Sequence, residues 1–142
     1  MTDGTDDAVL VSGATVFSVE EARKLVAWFA EVTTARRVDE FLSGFTEDCV
    51  VQYGGMKPLA GRSALRPLAR QLLGPRYKDL LCQKALRSLN GNVIGASWIS
   101  EWTDAETGER RSGRGLEFWI LRGRQIARWD AAFVAANEKA LA

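Results

Sequence analysis

Arg114-Gly-Leu-Glu117-Phe-Trp119 and Arg128-Trp-Asp130-Ala-Ala-Phe133 close a stretch, from about Asp79 to Phe133, that alternates apolar and polar residues over long segments and holds four of the five tryptophans. Alternation of period two marks half-buried strands. Helical patterns precede these strands and do not interleave with them, which argues for one strongly curved antiparallel sheet with helices on one face. Strands are predicted at roughly 79 to 89, 92 to 104, 109 to 122 and 125 to 134. Asn90-Gly91, the segment Asp104 to Gly108, and Gly123 mark the turns between them. A sheet of this kind makes a pocket, and here its wall is aromatic.

Upstream, Ser18-Val-Glu-Glu21 is a capping box that starts a helix. Leu25, Trp28, Phe29 and Val32 follow at helical spacing, with Ala22 and Val26 beside them. A shorter helix repeats the spacing at Val38, Phe41, Leu42 and Phe45. Cys49 to Tyr53 reads as a strand ended by Gly54-Gly55. A third helix is predicted from about Arg62 to Leu73, with Leu65, Leu68, Ala69 and Leu72 inward. Pro67 fits such a helix only near its first turn. Residues 1–16 show no periodicity and are expected to form a loose arm, residues 17–135 the domain, and residues 136–142 a tail.

Composition narrows the chemistry. With 142 residues the chain can bury a core without disulfides or metal. It contains no histidine, which removes Ser-His-Asp and Cys-His nucleophilic systems and His-based zinc sites. Acid-base work falls to carboxylates, tyrosine, lysine or cysteine. A net charge of +1 offers no electrostatic case for nucleic acid or anionic lipid. No metal cluster, phosphate loop or cofactor motif is visible. Cys49 and Cys82 read as small buried hydrophobes, suited to a reducing cytoplasm. The acidic start Thr2 to Asp7 is unlike a signal peptide, and no apolar run is long enough to cross a bilayer.

The order helix, helix, strand, helix, four-strand meander resembles the nuclear transport factor 2-like superfamily, and within it the SnoaL-like polyketide cyclases and ketosteroid isomerases. The pieces that carry the likeness are Phe45-Thr-Glu-Asp48-Cys-Val-Val, Leu59-Ala-Gly-Arg62-Ser-Ala-Leu65 and Gly123-Arg-Gln-Ile126-Ala-Arg-Trp129. The resemblance implies a cone open at one end, a hydrophobic pocket inside it, and a homodimer through the outer sheet face. The superfamily includes isomerases, cyclases, dehydratases, epoxide hydrolases and plain binding proteins, so fold leaves function open.

Glu117 is the leading catalytic candidate. It is a carboxylate within the apolar run Leu116 to Leu121, and it falls where the resemblance places the ketosteroid isomerase acid. Facing the cone, it is expected to be desolvated and raised above the usual value of about 4.3. The other reading turns it outward or pairs it with Arg114 or Arg128. Tyr53 stands where those isomerases carry a base, and its hydroxyl can hold a substrate oxygen. Trp28 aligns with their oxyanion tyrosine. An epoxide hydrolase would need an acid at about Ala131, and Asp130 reaches the pocket only if a bulge rephases its strand. Strand parity and the resemblance together place Trp98, Trp102, Trp119, Trp129 and Phe133 on the concave face, as pocket walls or as packing. Arg110, Arg111, Arg114, Arg122, Arg124 and Arg128 are expected on a solvated outer surface.

The expectation is a cofactor-independent enzyme that isomerises, cyclises or dehydrates a hydrophobic carbonyl-bearing or polyketide-like molecule, with Glu117 moving the proton and Tyr53 holding the oxygen. A non-catalytic binding protein using the same cone is the alternative, and epoxide hydrolase-type chemistry a further one. A hydrophobic small molecule is the expected partner, with no nucleic acid and no membrane.

Overall fold

The computed structural model describes residues 8–13 and 16–137. Ser18 and Glu21 form the capping box: each backbone N–H donates to the other's side chain at 3.0 Å. Helix α1 (Val19–Thr34) therefore starts where its sequence says it should. Its buried face runs through Ala22, Val26, Phe29 and Val32, with Leu25 and Trp28 only partly covered at its border. Helix α2 (Val38–Ser43) ends at Gly44, and Phe45 belongs to the following strand. Gly44 lies where a Cβ would be 2.3 Å from the Phe29 ring, so the chain can cross that ring only as glycine. Helix α3 (Arg62–Leu72) carries Pro67 in its interior, beyond the first turn. Pro67 and Ser63, whose carbonyl loses its partner there, are both exposed, so the vacant acceptor lies on a solvent-facing side of the helix.

The meander is as predicted from the alternating stretch. Strands β4 (Tyr77–Asn90), β5 (Val93–Asp104), β6 (Arg110–Arg122) and β7 (Gln125–Asn137) pair antiparallel in sequence order. No helix interrupts them. Gly91 and Gly123 open their two-residue hairpins at φ of 60° and 62°, the conformation needed at the first position of a type II′ turn.

Three features depart from expectation. Strand β1 (Leu10–Ser12) pairs parallel to Ser88–Asn90 of β4, so part of the expected loose arm is an edge strand. Its three residues are exposed and held by backbone bonds, which leave no trace in side-chain periodicity. Strand β2 (Phe45–Tyr53) begins four residues before the predicted start and pairs parallel to β7. The short β3 (Leu59–Ala60) pairs antiparallel to β2. The sheet order is β1-β4-β5-β6-β7-β2-β3, an antiparallel meander with two parallel joins. The expected tail begins inside β7, and residues 138–142, like the acidic segment Thr2 to Asp7, lie outside the described residues.

Together these elements form a cone, an α+β fold with the helices against a curved, largely antiparallel sheet. Inside it, Phe29, Phe41, Phe45, Trp119 and Trp129 make one aromatic cluster, with ring centroids 4.8 Å apart for Phe29–Trp119 and 5.7 Å for Phe45–Trp129. That cluster fills one end of the cone. Thr34 pins α1 across the sheet: its hydroxyl accepts from the Cys82 N–H at 2.9 Å and donates to the Cys82 carbonyl at 3.1 Å. Among the described residues no helix is long and apolar enough to cross a membrane.

Candidate functional site

The open end of the cone encloses a cavity of about 140 Å³. Tyr53, Trp98, Trp102, Trp129 and Phe133 form its aromatic wall, completed by Tyr77, Leu72 and Leu80. Trp98 can lie flat across the sheet because the residue opposite it on β6 is Gly115. A Cβ on Gly115 would be 2.8 Å from the Trp98 indole and 2.5 Å from the Ala132 carbonyl oxygen. Gly115→Ala is therefore expected to displace Trp98 and to cost about 1–3 kcal/mol, the range for overpacking. Denaturant unfolding and tryptophan fluorescence read both effects; an unchanged midpoint and spectrum would contradict this placement.

Glu117 faces the concave side and is 2% exposed. It is not a lone carboxylate. Its Oε2 pairs with Lys84 Nζ at 2.5 Å, and its Oε1 accepts from the indole N–H groups of Trp119 and Trp129, each at 2.9 Å. The partner is thus a lysine on the inner face, not Arg114 or Arg128. Lys84 lies on β4, Glu117 on β6, and the β5 residue opposite Glu117 is the small Ala96. The Lys84 side chain is 9% exposed, and its Nζ sits 5.7 Å from the centroid of the Trp98 ring. Lys84 and Trp129 line both the main cavity and a void of about 10 Å³ behind it. Glu117 lines only the latter. The charged group presented to the main cavity is accordingly the ammonium, with the carboxylate behind it.

Lys84 was not among the candidates read from sequence, although a signal existed. Leu80, Cys82, Lys84 and Leu86 alternate along β4 as one inward row, and a lysine in such a row must find a buried partner.

The remaining candidates separate. Tyr53 lines the cavity with its ring 5.3 Å from Trp129 and 4.6 Å from Phe133. Burial, with lesser contributions from Tyr77, Glu117 and Cys82, pushes the Tyr53 phenol well above its usual range, so the hydroxyl stays protonated and serves as a donor. Trp102 lies against Tyr77 near the open end. Trp119 is in the filled end, where it touches Phe29 and serves Glu117; it does not line the main cavity. Trp28 stacks edge-on against Phe29 and lines neither void. Trp119 is core because the large rings at the closed end fill it, whereas Trp28 sits half-buried at the border of the α1 packing face, clear of the cavity.

Asp130 pairs in register with the exposed Phe118 and binds Arg128 at 3.1 Å on the outer face. The β6–β7 irregularity lies before it, between Ile120 and Leu121, and leaves Ala131 opposite Glu117. No acid from β7 enters the cavity. Arg111 departs from the expected outer set. It is half-buried and, with Arg76, holds the 2%-exposed Asp104 at 3.2 and 3.1 Å, clasping the ends of β4, β5 and β6 beside Tyr77. The Arg76 hydrogen bond, ahead of the Glu106 backbone N–H, holds the Asp104 carboxyl below its usual range. Cys49 and Cys82 are free and buried, and Cys82 lies in the cavity wall. Among the described residues no three metal-ligating side chains converge.

No protein-family profile matches the chain, and no curated protein matches it. Among solved structures, 351 chains are similar in fold. One is an epoxide hydrolase/cyclase-like enzyme, SalBIII, described for its role in pyran ring formation in the polyether salinomycin. The match has a TM-score of 0.70 at 16% identity and covers 81% of this chain and 92% of that one. So low an identity speaks for the fold alone.

Proposed function

We propose that this chain is a cofactor-independent, SnoaL-like enzyme that cyclises, isomerises or dehydrates a hydrophobic carbonyl-bearing or polyketide-like molecule by acid-base catalysis. The observation that carries the reading is the buried Lys84–Glu117 ion pair at the inner end of an aromatic cavity. The substrate oxygen meets the Lys84 ammonium, and the Tyr53 hydroxyl donates to the same oxygen, so negative charge developing there in the transition state is stabilised in a site largely shielded from water. Glu117 holds the ammonium in place and balances its charge. This reassigns the direct contact from Glu117, the expected proton carrier, to Lys84. The fold likeness to an enzyme associated with pyran ring formation makes cyclisation the first reaction to try.

The test is turnover of a small ζ-hydroxy enone, whose hydroxyl oxygen adds to the β-carbon to close a tetrahydropyran while its proton ends on the α-carbon, followed chromatographically with wild type, Lys84→Met and Tyr53→Phe. Lys84→Met is expected to lose about a hundredfold or more, the scale of one acid-base group, and Tyr53→Phe less. Binding without turnover, in wild type and variants alike, would instead support an accessory binding protein. That second reading draws on the engagement of both Glu117 oxygens, which leaves no unpaired acid in the main cavity.

A homodimer through the outer sheet face is part of the proposal. Leu116 and Phe118 are 63% and 54% exposed, with Ile99, Ile120 and Val134 also exposed on the meander. Single exposed apolar residues are ordinary, but a contiguous set of this size marks an interface. Light scattering at micromolar concentration is expected to give twice the chain mass of 15.7 kDa, and Phe118→Glu to give the monomer; a monomeric wild type would count against it. Free buried cysteines fit the reducing cytoplasm as its location.

A further inference from the structure

The charge balance of the cavity restricts what can occupy it. At about 140 Å³ it is close to the roughly 150 Å³ apolar cavity that accommodates one benzene molecule. A volume of that size takes one ring, and anything larger must extend out of the open end. Among the described residues Lys84 is the sole charged side chain in the lining. An ammonium has three N–H donors. One is used by Glu117 and the Trp98 ring lies alongside, so a donor remains for the occupant.

The ammonium is already neutralised by Glu117. A carboxylate entering this apolar enclosure would give up its hydration and leave a net negative charge there. A hydrocarbon would leave the remaining donor without an acceptor. A carbonyl oxygen takes the hydrogen bond and adds no charge. We propose that the cavity binds an uncharged one-ring molecule bearing a carbonyl oxygen, and that the Lys84–Glu117 pair selects it over the corresponding carboxylate.

This inference rests on reading the cavity as the functional site, and it holds whether or not the chain is a catalyst. Acetophenone, benzoate and ethylbenzene are titrated into wild-type protein, with calorimetry and tryptophan fluorescence as readouts. Acetophenone is expected to bind at least tenfold more tightly than either of the others. In Glu117→Gln the ammonium loses its counter-charge, and the order of acetophenone and benzoate is expected to reverse. Benzoate or ethylbenzene binding wild type as tightly as acetophenone would overturn the selection while leaving the site in place, as would an unchanged order in Glu117→Gln. Binding of none of the three would overturn both. Should Glu117→Gln fail to fold, the wild-type ratios decide alone.

Discussion

Glu117→Gln is expected to destabilise the fold by about 3–5 kcal/mol, the range for removing one member of a buried ion pair. Read as a lone carboxylate, Glu117 would tolerate this change, because glutamine keeps the shape and can accept a hydrogen bond. The structure reverses that expectation. The amide can still accept from Trp119 or Trp129, but Lys84, with a side chain only 9% exposed, loses its counter-charge. Lys84→Met should be similarly costly, since it strands the carboxylate. The double variant Lys84→Met/Glu117→Gln is expected to recover most of the loss, because neither charge remains to be desolvated. Urea unfolding of the four proteins measures the coupling. A single variant within about 1 kcal/mol of wild type would mean that the charges are not desolvated as described.

Trp129→Ala is the second large effect expected, at about 3–5 kcal/mol for loss of a buried large aromatic side chain. Trp129 is 6% exposed, touches Phe41, Phe45 and Tyr53, and stands between the filled and open ends of the cone. Trp129→Phe retains most of the ring packing but removes the N–H that donates to Glu117 at 2.9 Å. Hydrogen bonds to charged groups are worth about 1.5–3 kcal/mol, so this variant should fall between wild type and alanine. Trp119→Phe should match it, since the second indole makes the same bond at the same distance. If Trp129→Phe were as stable as wild type while Trp129→Ala were not, packing alone would account for Trp129.

Glu117 and Trp129 fall on concave positions by strand parity, and parity held because β5 and β6 pair in register from Val93↔Ile120 to Thr103↔Arg110, and β7 continues in register with β6 from Arg128 onward. Asp130 stayed outside by the same rule. Parity says which face a residue occupies but not how deep in the cone it sits. Trp119 and Trp129 are both concave, yet only Trp129 reaches the main cavity. Trp28 follows from the resemblance and not from strand parity, and its position at the border of the buried face depends on how α1 rotates against the sheet.

By itself the sequence determined the three helices, the hairpins and strands of the meander and the inward rows of β5, β6 and β7, because period, turn residues and the capping box act over a few residues and need no partner. The parallel joins β1·β4 and β2·β7, the division of the cone into a filled and an open end, and the meeting of Lys84 with Glu117 were decided by the tertiary structure. Which strand a segment pairs with leaves no signature in its own side-chain period. A salt bridge between residues 33 positions apart in sequence exists only once an intervening strand sets their separation and burial removes water, the competitor for both charges.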